Sequence, residues 1–246
     1  MEKRRFYLSL GVLLILSSIA LYGIQLLVFK NPRDTFFYFF QDVAFVPIQV
    51  LLVMLIIDKL LQKKEKELLL NKLNMVVGVF FNEVGTELIA LCVERTKNRD
   101  ALQSALSIDG SFDDRVFRER KDFVKSFGFE LAIDAGFLKR LDTLLRRKHN
   151  DLISLLENPN LLEHDAITDL LWAVFHLSDE LCHRSGFKKL PASDIEHLKG
   201  DLMRAYKVML IEWLNYMMHL KSNYPYLFSI ALRINPFRRM REAVVR

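Results

Sequence analysis

Two apolar runs near the start of the chain constrain its fold more than any other feature. Phe6 to Phe29 carries no charge, and its only polar members are Ser, Tyr and Gln; Phe36 to Ile57 carries a single formal charge, Asp42. As helices rising about 1.5 Å per residue, each run is long enough to cross the ~30 Å hydrocarbon core of a bilayer. The basic start MEKRR before an apolar run also fits a signal peptide. The run is too long for one, however, and no A-x-A-like site follows it, so the sequence predicts a retained span.

Only KNPRD, Lys30 to Asp34, separates the runs, and its Pro32 suits a tight connection rather than a helix interior. The spans are therefore expected as an antiparallel hairpin. Lys3, Arg4 and Arg5 flank one end of it, with Lys59, Lys63, Lys64 and Lys66 on the same side, against Lys30 and Arg33 across. That bias predicts an integral protein of the cell (inner) membrane with both termini in the cytoplasm.

Net charge is +5, from 35 basic and 30 acidic residues, a mixed surface whose excess is accounted for by the membrane flanks. The lipid bilayer is thus the expected partner, and nucleic acid is not. Cys92 and Cys182 both fall in the predicted cytoplasmic part within apolar helical patterns, which favours free thiols.

The expected fold class is all-α. Residues 1–57 form the transmembrane hairpin, with spans at about 6–29 and 36–57. Residues 58–106 are a stalk helix continuing from the second span, because no Gly, Pro or turn cluster interrupts the chain between Ile57 and Gly78. Along this stalk Leu73, Val76, Val77, Phe80, Val84, Leu88 and Leu91 share a broad apolar face. Gly78 and Gly85 lie together opposite it, where a second helix could approach closely. After the turn-rich SIDGSFDD, residues 107–246 are expected as a cytoplasmic helical bundle with a basic C-terminal segment. Its last long helix opens with Ser193 and Glu196 at capping-box spacing. No strand-like alternation and no repeat of 20 to 50 residues is visible.

Three sets of residues invite a chemical reading. In WAVFHLSDELCHR, Glu180 and His183 form an E-x-x-H, and His176 lies one turn before Glu180. Asp165, Asp169, His176, Glu180 and His183 share a stripe about 60° wide on a helix. Of these, His176, Glu180 and His183 make, with Glu83 and Glu87 from FFNEVGTELIA, a candidate transition-metal set of the kind that di-iron bundles use. The opposing reading is an ordinary wet helix face: Ile167, Leu170, Leu171, Val174, Leu177 and Leu181 occupy the other side, and no second E-x-x-H exists. The second set is intramembrane. Asp42, with Gln49 two turns later, could line a cation path in an oligomer; alternatively, Gln25 and Gln41 satisfy Asp42 within the hairpin. The third is the segment YPYLFSIALRINPFRRMREAVVR, whose Arg233, Arg238, Arg239 and Arg241 could lie on an anionic membrane surface. Against that, Phe228, Leu232 and Phe237 would simply close the bundle while the arginines stay solvated.

No phosphate-binding glycine motif, G-x-S-x-G elbow or cysteine nucleophile context occurs, which leaves no complete catalytic constellation. In KRLDTLLRRKH, Lys139 to His149, the charges are interleaved with core leucines, as on a solvated helix face. The expected function is that of a membrane-anchored helical interaction or regulatory module, homo-oligomeric through the stalk. An oligomeric ion channel with Asp42 at the pore and a membrane-tethered metalloprotein using Glu180 and His183 are the alternatives.

Overall fold

The computed structural model describes residues 2–158 and 165–238, without side-chain detail at 2–4 and 71. Among the described residues the regular structure is all helical, apart from one isolated antiparallel bridge, Thr96 to Leu131. It divides into two compact units, Met1–Lys66 and Glu67–Arg246.

The first unit contains α1 (Glu2–Phe29) and the first two-thirds of α2 (Pro32–Phe80). Only Lys30 and Asn31 separate the two helices. Lys30 takes a left-handed backbone, φ 49°, and its N–H closes on the Leu26 carbonyl at 3.0 Å, which ends α1. Pro32 then occupies the first position of α2, where its missing N–H has no partner to lose. Asn31 accepts from the Asp34 N–H at 3.5 Å and donates its amide to the Asp34 carboxylate at 2.6 Å. Both helices are long and apolar enough to cross a membrane by length and composition, and neither apolar stretch is buried. Pro47 lies inside α2 without ending it. The helix runs on through DKLLQKKEKELLLNKLN, as the lack of breakers in that stretch predicts.

The second unit begins with the end of α2 and takes in much of the stretch read from sequence as a stalk. Leu73, Val77 and Phe80 are buried in its core, as are Val84, Leu88, Ile89 and Cys92 beyond them. A single π-helical turn, Phe81–Gly85, joins α2 to α3 (Thr86–Arg95). The wide turn adds one residue and shifts the phase of the apolar face. Adjacent Phe80 and Phe81 are thereby both buried, and Ile89 and Cys92 join the face read from the 3.6-residue period. Thr96 to Asn98 turn the chain into α4 (Arg99–Leu106), a break that the sequence reading did not place.

Then follow α5 (Asp114–Ser126), α6 (Ala135–Arg147), α7 (His149–Leu156), α8 (Asp165–Cys182), α9 (Ala192–Asn223) and α10 (Pro225–Arg233). Asp113 and Asp134 cap α5 and α6, accepting from the N–H groups of Val116 and Phe137 at 2.8 and 2.7 Å. The central element is α9. Leu198, Leu202, Ala205, Tyr206, Met209, Leu210, Trp213, Leu214 and Met217 are buried along it at helical spacing, with α3, α5, α8 and α10 packed around it. The expected capping box at Ser193 and Glu196 does not form. Pro191 is the N-cap residue, and its carbonyl accepts from Asp194 and Ile195 at 3.0 and 3.1 Å.

The two glycines read as an open face are filled within the chain. At Gly78 the Tyr216 ring stands 3.3 Å from the place of a Cβ; at Gly85 the Phe81 and Phe80 rings stand at 2.5 and 2.8 Å. What Gly78 makes room for is the Tyr216 ring of this chain's own α9.

Candidate functional site

In the hairpin, the Tyr22 hydroxyl donates to Asp42 Oδ2 at 2.8 Å, the role the sequence reading gave to Gln25 or Gln41. A phenol suits this position because its ring lies among apolar side chains, T-shaped against Phe39 at 5.9 Å, while its hydroxyl reaches the carboxylate. Ser17, Ser18, Tyr22, Gln25 and Asp42 line one cleft. Gln41 borders Asp42 on another side with Ala44 and Phe45, and Gln49 lies in a separate apolar cleft with Val53 and Ile57.

In the second unit, α8 buries Ile167, Leu170, Leu171, Val174, Leu177 and Leu181, the face the 3.6-residue period assigns to the core. Its polar stripe is not wholly solvated, because the near edge runs along the start of α9. There Arg184 donates to both Asp194 oxygens, at 2.9 and 2.6 Å, and to Glu180 Oε2 at 2.9 Å. The Asp194 bonds raise the Arg184 guanidinium further above its usual value, against the cost of desolvation. The Arg184 hydrogen bonds likewise hold the carboxyls of Glu180 and Asp194 below the usual range.

Beside this clamp, His197 Nε2 lies 3.6 Å from Glu180 Oε2 and 3.3 Å from Asp201 Oδ2. His176 Nε2 comes within 3.5 Å of the same Asp201 oxygen. The Asp201 side chain is only 5% exposed, and its Oδ2 makes no hydrogen bond. His183 points elsewhere, its Nδ1 2.8 Å from the Asp179 carbonyl.

Glu83 and Glu87 are not part of this cluster. Glu83 pairs with Lys148 at 3.0 Å, and Glu87 takes Arg147 at 2.6 and 2.7 Å, at the junction of α6 and α7. The Glu83 bond raises the Lys148 ammonium despite desolvation. The five residues grouped from sequence are thus split: His176 and Glu180 meet α9, His183 turns back to its own helix, and Glu83 and Glu87 pair at the α6–α7 junction. Among the described residues, no group of three or more His, Cys, Asp or Glu side chains is placed to hold a metal ion. The basic run of α6 is also internally paired: Arg140 with Glu94 at 3.2 Å, Arg146 with Asp142 at 2.8 Å, and Arg147 and Lys148 as above.

At the C-terminal end, Phe228 and Phe237 are buried, and Phe237 packs on Trp213 at 5.2 Å between ring centres. Arg233 donates to Ser229 Oγ at 2.9 Å, and Arg238 is exposed. Phe228 and Phe237 are thus part of the core, while Tyr226, Leu227 and Ile230 are the exposed apolar residues of α10. Arg239 and Arg241 lie outside the described residues.

Sequence reasoning missed Tyr22, Arg184, His197 and Asp201. The H-x-x-x-D spacing of His197 and Asp201 was the available signal, since it puts both side chains on one helix face. Only the α8–α9 packing shows that this face meets His176.

Residues 2–61 match a family described as "MJ1433, N-terminal helical domain", and residues 69–233 match "Uncharacterized protein MJ1433, C-terminal helical domain". The gap between the matches contains the boundary of the two compact units. The curated "Uncharacterized protein MJ1433" of Methanocaldococcus jannaschii is 46% identical over 237 residues, 96% of this chain and 95% of that protein. No solved structure matches.

Proposed function

The chain belongs to the MJ1433 family, and from that premise we propose that it is a membrane-anchored helical interaction module. In this reading α1 and the apolar part of α2 cross a cell membrane as a hairpin with both termini in the cytoplasm, and residues 67–246 form the partner-binding domain. The observation that carries it is a contrast in burial. Leu13, Ile19, Leu27, Met54 and Ile56 are each about 60% exposed or more (63%, 64%, 76%, 66% and 59%), whereas Val84, Leu88, Phe117, Val174 and Met209 are fully buried. Apolar surface on that scale is stable in lipid and a liability in water.

The hairpin is also where copies of the chain meet. Ser17, Ser18 and Gln25 form a polar cleft in an otherwise apolar surface, and such groups in hydrocarbon find partners on neighbouring helices. The Tyr22 bond to Asp42 favours a structural role for that carboxylate over a pore lining. The test uses the full chain in mild detergent, with mass measured by light scattering and partners captured from its native membrane. A defined multimer, weakened by Ser17→Leu with Gln25→Leu, is expected. A strict monomer that retains no partner would remove the proposal.

A further inference from the structure

We propose that His176, His197 and Asp201 form a binding site for one divalent transition-metal ion of the zinc class, with Glu180 at its edge. The site is new relative to the E-x-x-H reading: it keeps His176, gains His197 and Asp201 from α9, and releases Glu83, Glu87 and His183 to the pairings described above.

The first argument is the state of Asp201. A carboxyl oxygen that is buried without a hydrogen bond is costly, and such atoms are uncommon in folded proteins. Asp201 Oδ2 is one, in a side chain 5% exposed. Arg204, 3.5 Å away, faces the other oxygen, Oδ1. What faces Oδ2 is two imidazole Nε2 atoms, each a competent metal ligand when neutral.

The second argument is spacing. Ligands about 2.0 Å from a tetrahedral zinc ion stand about 3.3 Å from one another. Asp201 Oδ2 to His197 Nε2 is 3.3 Å, Asp201 Oδ2 to His176 Nε2 is 3.5 Å, and His197 Nε2 to Glu180 Oε2 is 3.6 Å. As they stand, these donors are not placed to hold a metal ion, and binding requires them to move. The adjustment is confined to rings that can turn, since His176 and His197 are 46% and 52% exposed, while the carboxylate they close on is fixed in the core.

Two imidazoles and one carboxylate leave the fourth tetrahedral position to water. Glu180 remains bonded to Arg184, which holds its free side toward His197. A ligand from α8 and two from α9 would tie together the helices that form the centre of the domain, so binding adds to folding stability.

The test uses the full chain in detergent, without a His tag, stripped with chelator and titrated with zinc chloride by calorimetry and thermal melting. One equivalent bound per chain with a raised Tm is expected. His176→Gln and His197→Gln, both at exposed positions, should weaken binding at least about tenfold while the circular dichroism stays unchanged. His149→Gln and His183→Gln should bind as the parent does. No saturation up to about 100 µM zinc, or binding that survives in both the His176 and His197 variants, overturns the proposal.

Discussion

At Gly85, a methyl group would stand 2.5 Å from Phe81 Cδ1, in a ring that is itself buried against Tyr216 at 5.4 Å between centres. Gly to Ala inside a helix normally stabilises by about 1 kcal/mol. Here overpacking reverses the sign, and Gly85→Ala should cost about 1–3 kcal/mol in urea unfolding. Arg184 is 15% exposed and links the end of α8 to the start of α9, so Arg184→Met should cost about 1.5–3 kcal/mol. The pH dependence of the pair follows from its direction. Glu180 and Asp194 have folded pKa values below their unfolded ones, so their contribution is full above about pH 4.5 and is lost as pH falls through the folded values. Arg184→Met should flatten that acid limb. His219 behaves as a base depressed by burial. Its Nδ1 faces the side-chain amides of Asn74 and Asn223, at 3.0 and 3.1 Å. Stability should therefore drop as pH falls below about 6.5, and His219→Gln should remove that slope. Of the residues discussed, the polar stripe on α8 was legible from spacing alone, because helical periodicity fixes which residues share a face. Its partners on α9 were not, since sequence does not say which face of one helix meets which face of another.

The helices themselves were largely readable where the chain lacks breakers. The absence of Gly and Pro between Ile57 and Gly78 foretold that the second helix continues past its apolar stretch, and it runs to Phe80. The π-helical turn after it was hidden, because the 3.6-residue period places Phe80 on the apolar face and leaves Phe81 off it, and only the wide turn brings both into the core. The phase shift it brings is why Ile89 and Cys92 are core residues that the simple period missed. Burial also pushes the Cys92 thiol up, so it should stay unreactive to alkylating reagents in the folded protein. The connection between α1 and α2 carries one identifiable local cost, the left-handed Lys30. Lys30→Gly should stabilise the hairpin by up to about 1 kcal/mol, measured by unfolding in mixed detergent.

At the scale of the molecule, the boundary at Lys66 and Glu67 is where the character of the chain changes. Up to it, apolar side chains are exposed; beyond it, they close a core of their own around α9. Residues 67–246 expressed alone should be soluble and helical and should melt cooperatively, whereas the full chain should need detergent. The most direct test of the membrane reading is thiol labelling by a membrane-impermeant maleimide in intact cells. The background is Cys182→Ser, with Cys92 buried, and single cysteines are placed at Asn31→Cys between α1 and α2 or at Gly110→Cys in the exposed turn before α5. A cytoplasmic helical domain on a membrane hairpin predicts that Asn31→Cys is labelled from outside and Gly110→Cys only after permeabilisation. Equal labelling at the two positions, or recovery of the chain in the soluble fraction, would contradict it.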